Sequence, residues 1–182
     1  MLIHVMLVAI FGVLIPWWKG IDFFDPVITA AYACMGVLFA APAAAQAFSG
    51  SRPQSMRDAY GRAGKAVLYG EGLALIFLAA GTTTVSLTRG ARLRLPELDV
   101  LGETAVLGLA ASVAFASLAG WATLRFSAGM ARLAMRILFV GLLIAFLYYG
   151  RSLPDVALMG SALCAVIAVG NVFLLWREVS PR

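Results

Sequence analysis

A carboxylate, a guanidinium and a carboxamide stand inside stretches of this sequence that are otherwise apolar: Glu71, Arg136 and Asn171. A charged or strongly polar group in an apolar medium is costly, so each must face a partner or a water-filled space. Glu71 lies six residues beyond Lys65, which is about 9 Å along a helix rising 1.5 Å per residue. Arg136 falls just inside the start of a later apolar run, and Asn171 lies five residues before the end of the last one. This placement predicts a Glu71–Arg136 pair with Asn171 nearby. Two roles fit such a trio: an ion pair that pins three helices, or part of a polar pathway.

The other residue types that carry chemistry are sparse. The single histidine, His4, excludes paired-histidine haem ligation and a histidine-rich metal centre within this chain. It reads as an interface residue. Cys34 and Cys164 both fall in apolar runs and read as small packing residues. The chain has no GxxxxGK[ST] phosphate loop and no HExxH motif. Lys19 and Lys65 stand outside the apolar runs, which argues against a Schiff-base lysine. No catalytic residue, metal or cofactor is therefore expected, and the chain reads as a non-enzyme. Glu103 is expected at a membrane edge, within reach of Arg89, Arg92 or Arg94. Thr82, Thr83 and Thr84 are expected to bond back to their helix or to line a small polar mouth.

The elements that position these groups follow from composition. Of 182 residues, 62% are hydrophobic and 13% charged, with a mean hydropathy of +0.93. A soluble domain carries roughly 25% charged residues, so the solvent for this apolar surface is lipid. Six stretches come near the roughly 20 residues that a transmembrane helix needs: 2–18, 27–48, 66–87, 100–124, 133–150 and 154–176. The expected fold is one all-α domain, a six-helix membrane bundle. Trp17 and Trp18 mark an interface at the end of the first span. Pro154 and Asp155 after Arg151 suit the first turn of a new helix, so spans five and six are expected to form a tight hairpin.

The net charge is +5. Its basic residues sit between the apolar runs, where they act as topology signals and anionic-lipid contacts rather than as a nucleic-acid surface. With both termini inside, the inner segments hold nine lysines and arginines and the outer segments five. The positive-inside rule therefore favours cytoplasmic termini in an inner (plasma) membrane, although Arg89, Arg92 and Arg94 oppose it.

Two packing features stand out within the spans. Thr104, Gly108, Ser112, Ala116 and Gly120 recur every fourth residue and so form one stripe of small residues on a helix face. Such a stripe lets another backbone approach closely. It fits packing within the bundle, and it also fits a homo- or heterodimer face. Pro42 is expected to kink the second span.

Between the second and third spans runs a basic segment, 49–65, that carries Arg52, Arg57, Tyr60, Arg62 and Lys65. Met56, Tyr60 and the stems of its basic residues suit a short helix lying on the inner surface. In layout the chain resembles the membrane subunits of ABC-2-type ABC transporters, with six spans, both termini inside and a cytoplasmic coupling helix between spans two and three. The resemblance implies a separate ATPase partner docked at Arg52–Lys65. It covers the whole chain in topology but rests on no motif: the family's Gly-Thr-Leu-Glu-like run and N-terminal amphipathic helix are not found, and the connection between spans five and six is very short where the family tends to have re-entrant helices. The leading expectation is thus a dimeric transporter membrane subunit energised by a partner. The alternative is a structural or assembly subunit of a larger membrane complex.

Overall fold

A computed structural model describes residues 6–19, 25–89, 98–149 and 156–179. His4, Arg92, Arg94, Arg151, Pro154 and Asp155 lie outside the described residues, as do the ends of the first, fifth and sixth expected spans. Among the described residues the fold is entirely helical, without strands. Helix α1 is a π-helical stretch, Val8–Leu14, that continues as α-helix over Ile15–Lys19. The others are α2 (Pro26–Ser49), α3 (Met56–Arg89), α4 (Leu98–Arg125), α5 (Ala128–Tyr149) and α6 (Val156–Val179). Helices α2 to α6 are each long and apolar enough to cross a membrane; the described part of α1 is shorter.

Local chemistry sets the helix starts. Asp25 caps α2 by accepting a hydrogen bond from the Val27 amide at 2.9 Å, and Pro26 occupies the first turn, where its missing N–H leaves nothing unpaired. Ser55 accepts from the Asp58 amide at 3.2 Å at the start of α3. Ser127 does the same for the Met130 amide at 3.2 Å, so only Phe126 and Ser127 separate α4 from α5. The α-helical winding of α2 is interrupted by a 3-10 turn, Cys34–Gly36. Helix then continues through Pro42, so the departure from α geometry lies upstream of the proline expected to cause it.

Helices α2 and α4 form the centre, with 61% of each spanning window buried, against 17% for α5 and for α6. Helix α4 packs most extensively on α6 and on α2, and α2 also packs on α3 and α5. The small-residue stripe of α4 is spent on this packing. Gly108 abuts the Ala33 backbone, and Gly120 abuts the Phe48 ring; Ser112 and Ala116 are fully buried. Helix α3 answers with its own small face, where Ala59, Ala66, Gly70 and Ala74 are buried. Aromatic pairs fill the wider gaps: Phe39 stacks on Phe77 between α2 and α3 at 5.6 Å, and Phe115 meets Phe139 edge-on between α4 and α5 at 5.8 Å.

Helix α1 runs antiparallel to α2, with Leu7 near Phe39 and Phe11 near Tyr32. The Tyr32 hydroxyl donates to the Phe11 carbonyl at 2.8 Å, and Thr84 Oγ1 donates to the Gly12 carbonyl at 3.3 Å. Both acceptors lie in the π-helical stretch. Helices α5 and α6 seat on different neighbours, α5 chiefly on α2 and α6 on α4. Among the described residues α5 and α6 make little contact with each other; the turn expected to join them as a hairpin lies outside the described residues.

Candidate functional site: a carboxylate at a three-helix crossing

Helices α2, α3 and α4 cross where their side chains are smallest. At Gly70 of α3 a Cβ would fall on the Gly36 carbonyl oxygen and 2.8 Å from Ala40 Cβ. At Gly36 of α2 a Cβ would lie 2.5 Å from Glu71 Oε1 and 3.1 Å from Ser112 Oγ. At Gly108 of α4 it would lie 2.8 Å from the Ala33 carbonyl oxygen. Glycine at these positions lets three backbones approach to a distance that any larger residue prevents. The 3-10 turn of α2 passes through this crossing.

Glu71 is held there. Ser112 Oγ donates to Glu71 Oε1 at 2.5 Å, at the short end of O–H···O geometry. The carboxylate is half-buried and helps to line a cavity of ≈ 500 Å³ between α3 and α4, with Ala33 of α2 at its edge. Two threonines share that wall, but their hydroxyls are turned back to their own helices. Thr82 donates to the Leu78 carbonyl at 2.9 Å and Thr104 to the Val100 carbonyl at 2.7 Å. Glu71 is thus the one ionisable group on an otherwise mostly apolar wall. Such an arrangement can take up or release a proton, or hold a small cation, at a fixed depth.

The structure does not gather the expected trio. Glu71 pairs with Ser112, and Arg136 stands apart, exposed on α5 in a separate cleft with Arg132. Among the described residues neither arginine has a carboxylate partner. The buried face of α5 is Ala131, Met135 and Phe139; Arg136 follows Met135 by one position, about 100° further round the helix. Asn171 is buried on the other side of α4, where its Nδ2 donates to the Ala114 carbonyl at 2.9 Å. It fastens α6 to α4. Cys34 and Cys164 are free thiols packed against the central apolar cluster, and among the described residues no group of histidine, cysteine or carboxylate side chains could hold a metal ion.

At the end of the bundle that carries the basic loop, the short surface helix is absent. Residues from Met56 onward are the first turns of α3, a single helix of 34 residues, about 50 Å long. That is more than the roughly 30 Å of hydrocarbon that a perpendicular crossing needs, and the first turns of α3, which carry Arg57, Asp58, Arg62 and Lys65, are the end whose charges suit water. Two of the five basic-loop residues are engaged internally. Arg62 grips the Asp58 carboxylate at 2.8 and 3.0 Å and donates to the Ala47 and Ser51 carbonyls at 2.9 and 2.6 Å. The hydrogen bonds from Arg62 hold the Asp58 carboxyl below the usual carboxylate range. Arg52 donates to the Glu178 carbonyl at 2.7 Å, and the Glu178 carboxylate lies 3.5 Å from both Arg52 and Arg125. Arg57, Tyr60 and Lys65 remain exposed on α3. Glu103 is exposed on α4 and makes no ion pair among the described residues.

Several contributors escaped sequence reasoning. Ser112 was legible as a packing residue, not as a donor to Glu71. Gly36 and Gly70 carried no motif, although Gly70 continues the spacing of Ala59, Ala66 and Ala74. Arg132 stands one helical turn before Arg136, a signal that the pair shares a face.

Five long apolar helices and a close-packed small-residue centre make this a multi-pass helical membrane protein. No protein-family model, curated protein or solved structure matches the chain.

Proposed function

We propose that this chain is the membrane subunit of a transport assembly in a cell's inner (plasma) membrane, energised by a separate partner such as an ATPase. The observation that carries the reading is Glu71. An intramembrane carboxylate is expensive to keep and is by default functional; this one sits where three helices cross and opens on a ≈ 500 Å³ cavity. Helix α3 connects it to the outside. Arg57, Tyr60 and Lys65 occupy the first turns of the same continuous helix that carries Glu71. A partner pushing there would move the carboxylate without an intervening hinge. This would take the place of the separate coupling helix of ABC-2-type subunits, so the resemblance to that family is one of layout.

A second reading, a structural or assembly subunit, draws on the apolar outer faces of α5 and α6, which are sparsely covered within the chain. Isolation of the tagged protein in mild detergent separates the two. Transport predicts a co-purifying nucleotide-hydrolysing protein that is lost when Arg57, Tyr60 and Lys65 are all replaced by alanine. It also predicts that Glu71→Gln abolishes transport by the reconstituted complex while the partner stays bound. Recovery of a stable set of other membrane proteins and no ATPase would overturn it in favour of assembly.

A further inference from the structure

A second cavity, unconnected with Glu71, lies where α1, α2, α3 and α5 meet. It measures ≈ 640 Å³, within the roughly 300–1,000 Å³ of ligand-binding pockets. Its lining is divided by depth. Toward the end of the bundle that carries the basic loop stand Arg132 and Arg136 of α5, Gln46 of α2 and Tyr69 of α3; deeper, the wall is aliphatic and aromatic, with Phe11 and Leu38. We propose that this cleft binds one anionic glycerophospholipid, its phosphate between the two arginines and one acyl chain along the apolar wall.

Charge carries the argument. Arg132 and Arg136 are spaced i,i+4 on one exposed face, an arrangement in which like charges repel. Among the described residues no carboxylate relieves that repulsion. Asp58 and Glu178 are occupied by other arginines, Glu71 is bonded to Ser112, and the other polar groups lining the cleft are the Gln46 carboxamide and the Tyr69 phenol. Arg132 uses Nε to donate to the Ala128 carbonyl at 3.1 Å, which leaves its two terminal nitrogens for an outside acceptor. Two guanidiniums one turn apart match a phosphate diester, whose two non-bridging oxygens share one negative charge and accept from bidentate donors.

The apolar wall selects a lipid over a soluble phosphate. The cleft opens on the flank of the bundle at the start of α5, where an interfacial headgroup and a chain descending into the bilayer find the matching surfaces in the right order. On the orientation that the loop charges favour, this is the cytoplasmic leaflet, whose anionic lipids are attracted by about 1 kcal/mol per basic residue. Occupancy would also tie α5, which is otherwise thinly packed, to α1 and α2.

The test is native mass spectrometry of the delipidated protein titrated in detergent with dioleoylphosphatidylglycerol or dioleoylphosphatidylcholine. One phosphatidylglycerol is expected to be retained in preference to phosphatidylcholine. Arg132→Gln with Arg136→Gln should weaken that retention by about tenfold or more, whereas Arg57→Gln with Lys65→Gln should not. Arg132 bonds only to the Ala128 carbonyl of its own helix and neither arginine has a carboxylate partner among the described residues; circular dichroism of the double variant checks that it remains helical. Equal retention of the two lipids, or undiminished phosphatidylglycerol binding by the Arg132/Arg136 variant, would overturn the proposal. Displacement of the lipid by millimolar inorganic phosphate would likewise overturn it, by showing that the acyl wall adds nothing.

Discussion

Gly70 and Gly72 are two residues apart on α3, and replacing each by alanine should act in opposite directions. At Gly70 the new methyl group would meet the Gly36 carbonyl oxygen, Ala40 Cβ at 2.8 Å and the Ala40 backbone nitrogen at 2.9 Å. Two of those three atoms are backbone and cannot rotate away, so α2 and α3 must separate. Overpacking of this kind costs about 1–3 kcal/mol. At Gly72 nothing lies within 4 Å of the added Cβ. The substitution there only restricts the unfolded chain, a gain of about 0.5–1 kcal/mol in a helix interior. The two variants should therefore differ by about 1.5–4 kcal/mol. Equilibrium unfolding in mixed micelles of increasing sodium dodecyl sulfate fraction, followed by far-ultraviolet circular dichroism and tryptophan fluorescence, measures the difference. If Gly70→Ala were as stable as Gly72→Ala, the close crossing at Gly36 and the placement of Glu71 that depends on it would both be wrong.

Asn171→Leu removes the side-chain hydrogen bond that joins α6 to α4. The same unfolding assay should show a loss of roughly 0.6–1.7 kcal/mol, and an unchanged midpoint would mean that this bond contributes nothing. At the end that carries the basic loop, the Asp58 carboxyl is held below its ordinary value by Arg62, so the folded state favours the charged form. Its contribution is fully present above the ordinary carboxylate range and is lost as pH falls through the lowered value. Asp58→Asn should therefore be slightly less stable than the parent at pH 7, with the gap closing under acid. A gap that persisted or widened as the pH fell would refute the pairing.

The membrane architecture was legible because hydropathy reports the solvent of each segment directly, and lipid leaves only helices as spanning elements. The i,i+4 recurrence from Thr104 to Gly120 was legible for a similar reason: it is a property of one helix, and it now packs against α2 and α3 within the chain. Relations between helices were not. Depth placed Glu71 and Arg136 on comparable levels, but depth is only one of the coordinates that decide a contact. The other is rotation about each helix axis. On α5 hydrophobicity could not supply it, since Leu133, Ile137 and Leu138 face outward while Ala131 and Met135 face in. In a bilayer the exposed face is as apolar as the buried one, so the amphipathic signal that orients a soluble helix is missing. Residue size partly replaces it. Gly36, Gly70, Gly108 and Ser112 mark the faces that meet, and a group beside one of them is at a crossing. Glu71 directly follows Gly70. Size therefore points to α2 and α4 as the neighbours of this carboxylate, and Ser112, the one hydroxyl in the middle of the α4 stripe, becomes its donor. Arg136 has no small residue beside it on its own face, only Arg132 one turn away, which fits a side chain turned toward the lipid boundary rather than toward the centre of the bundle.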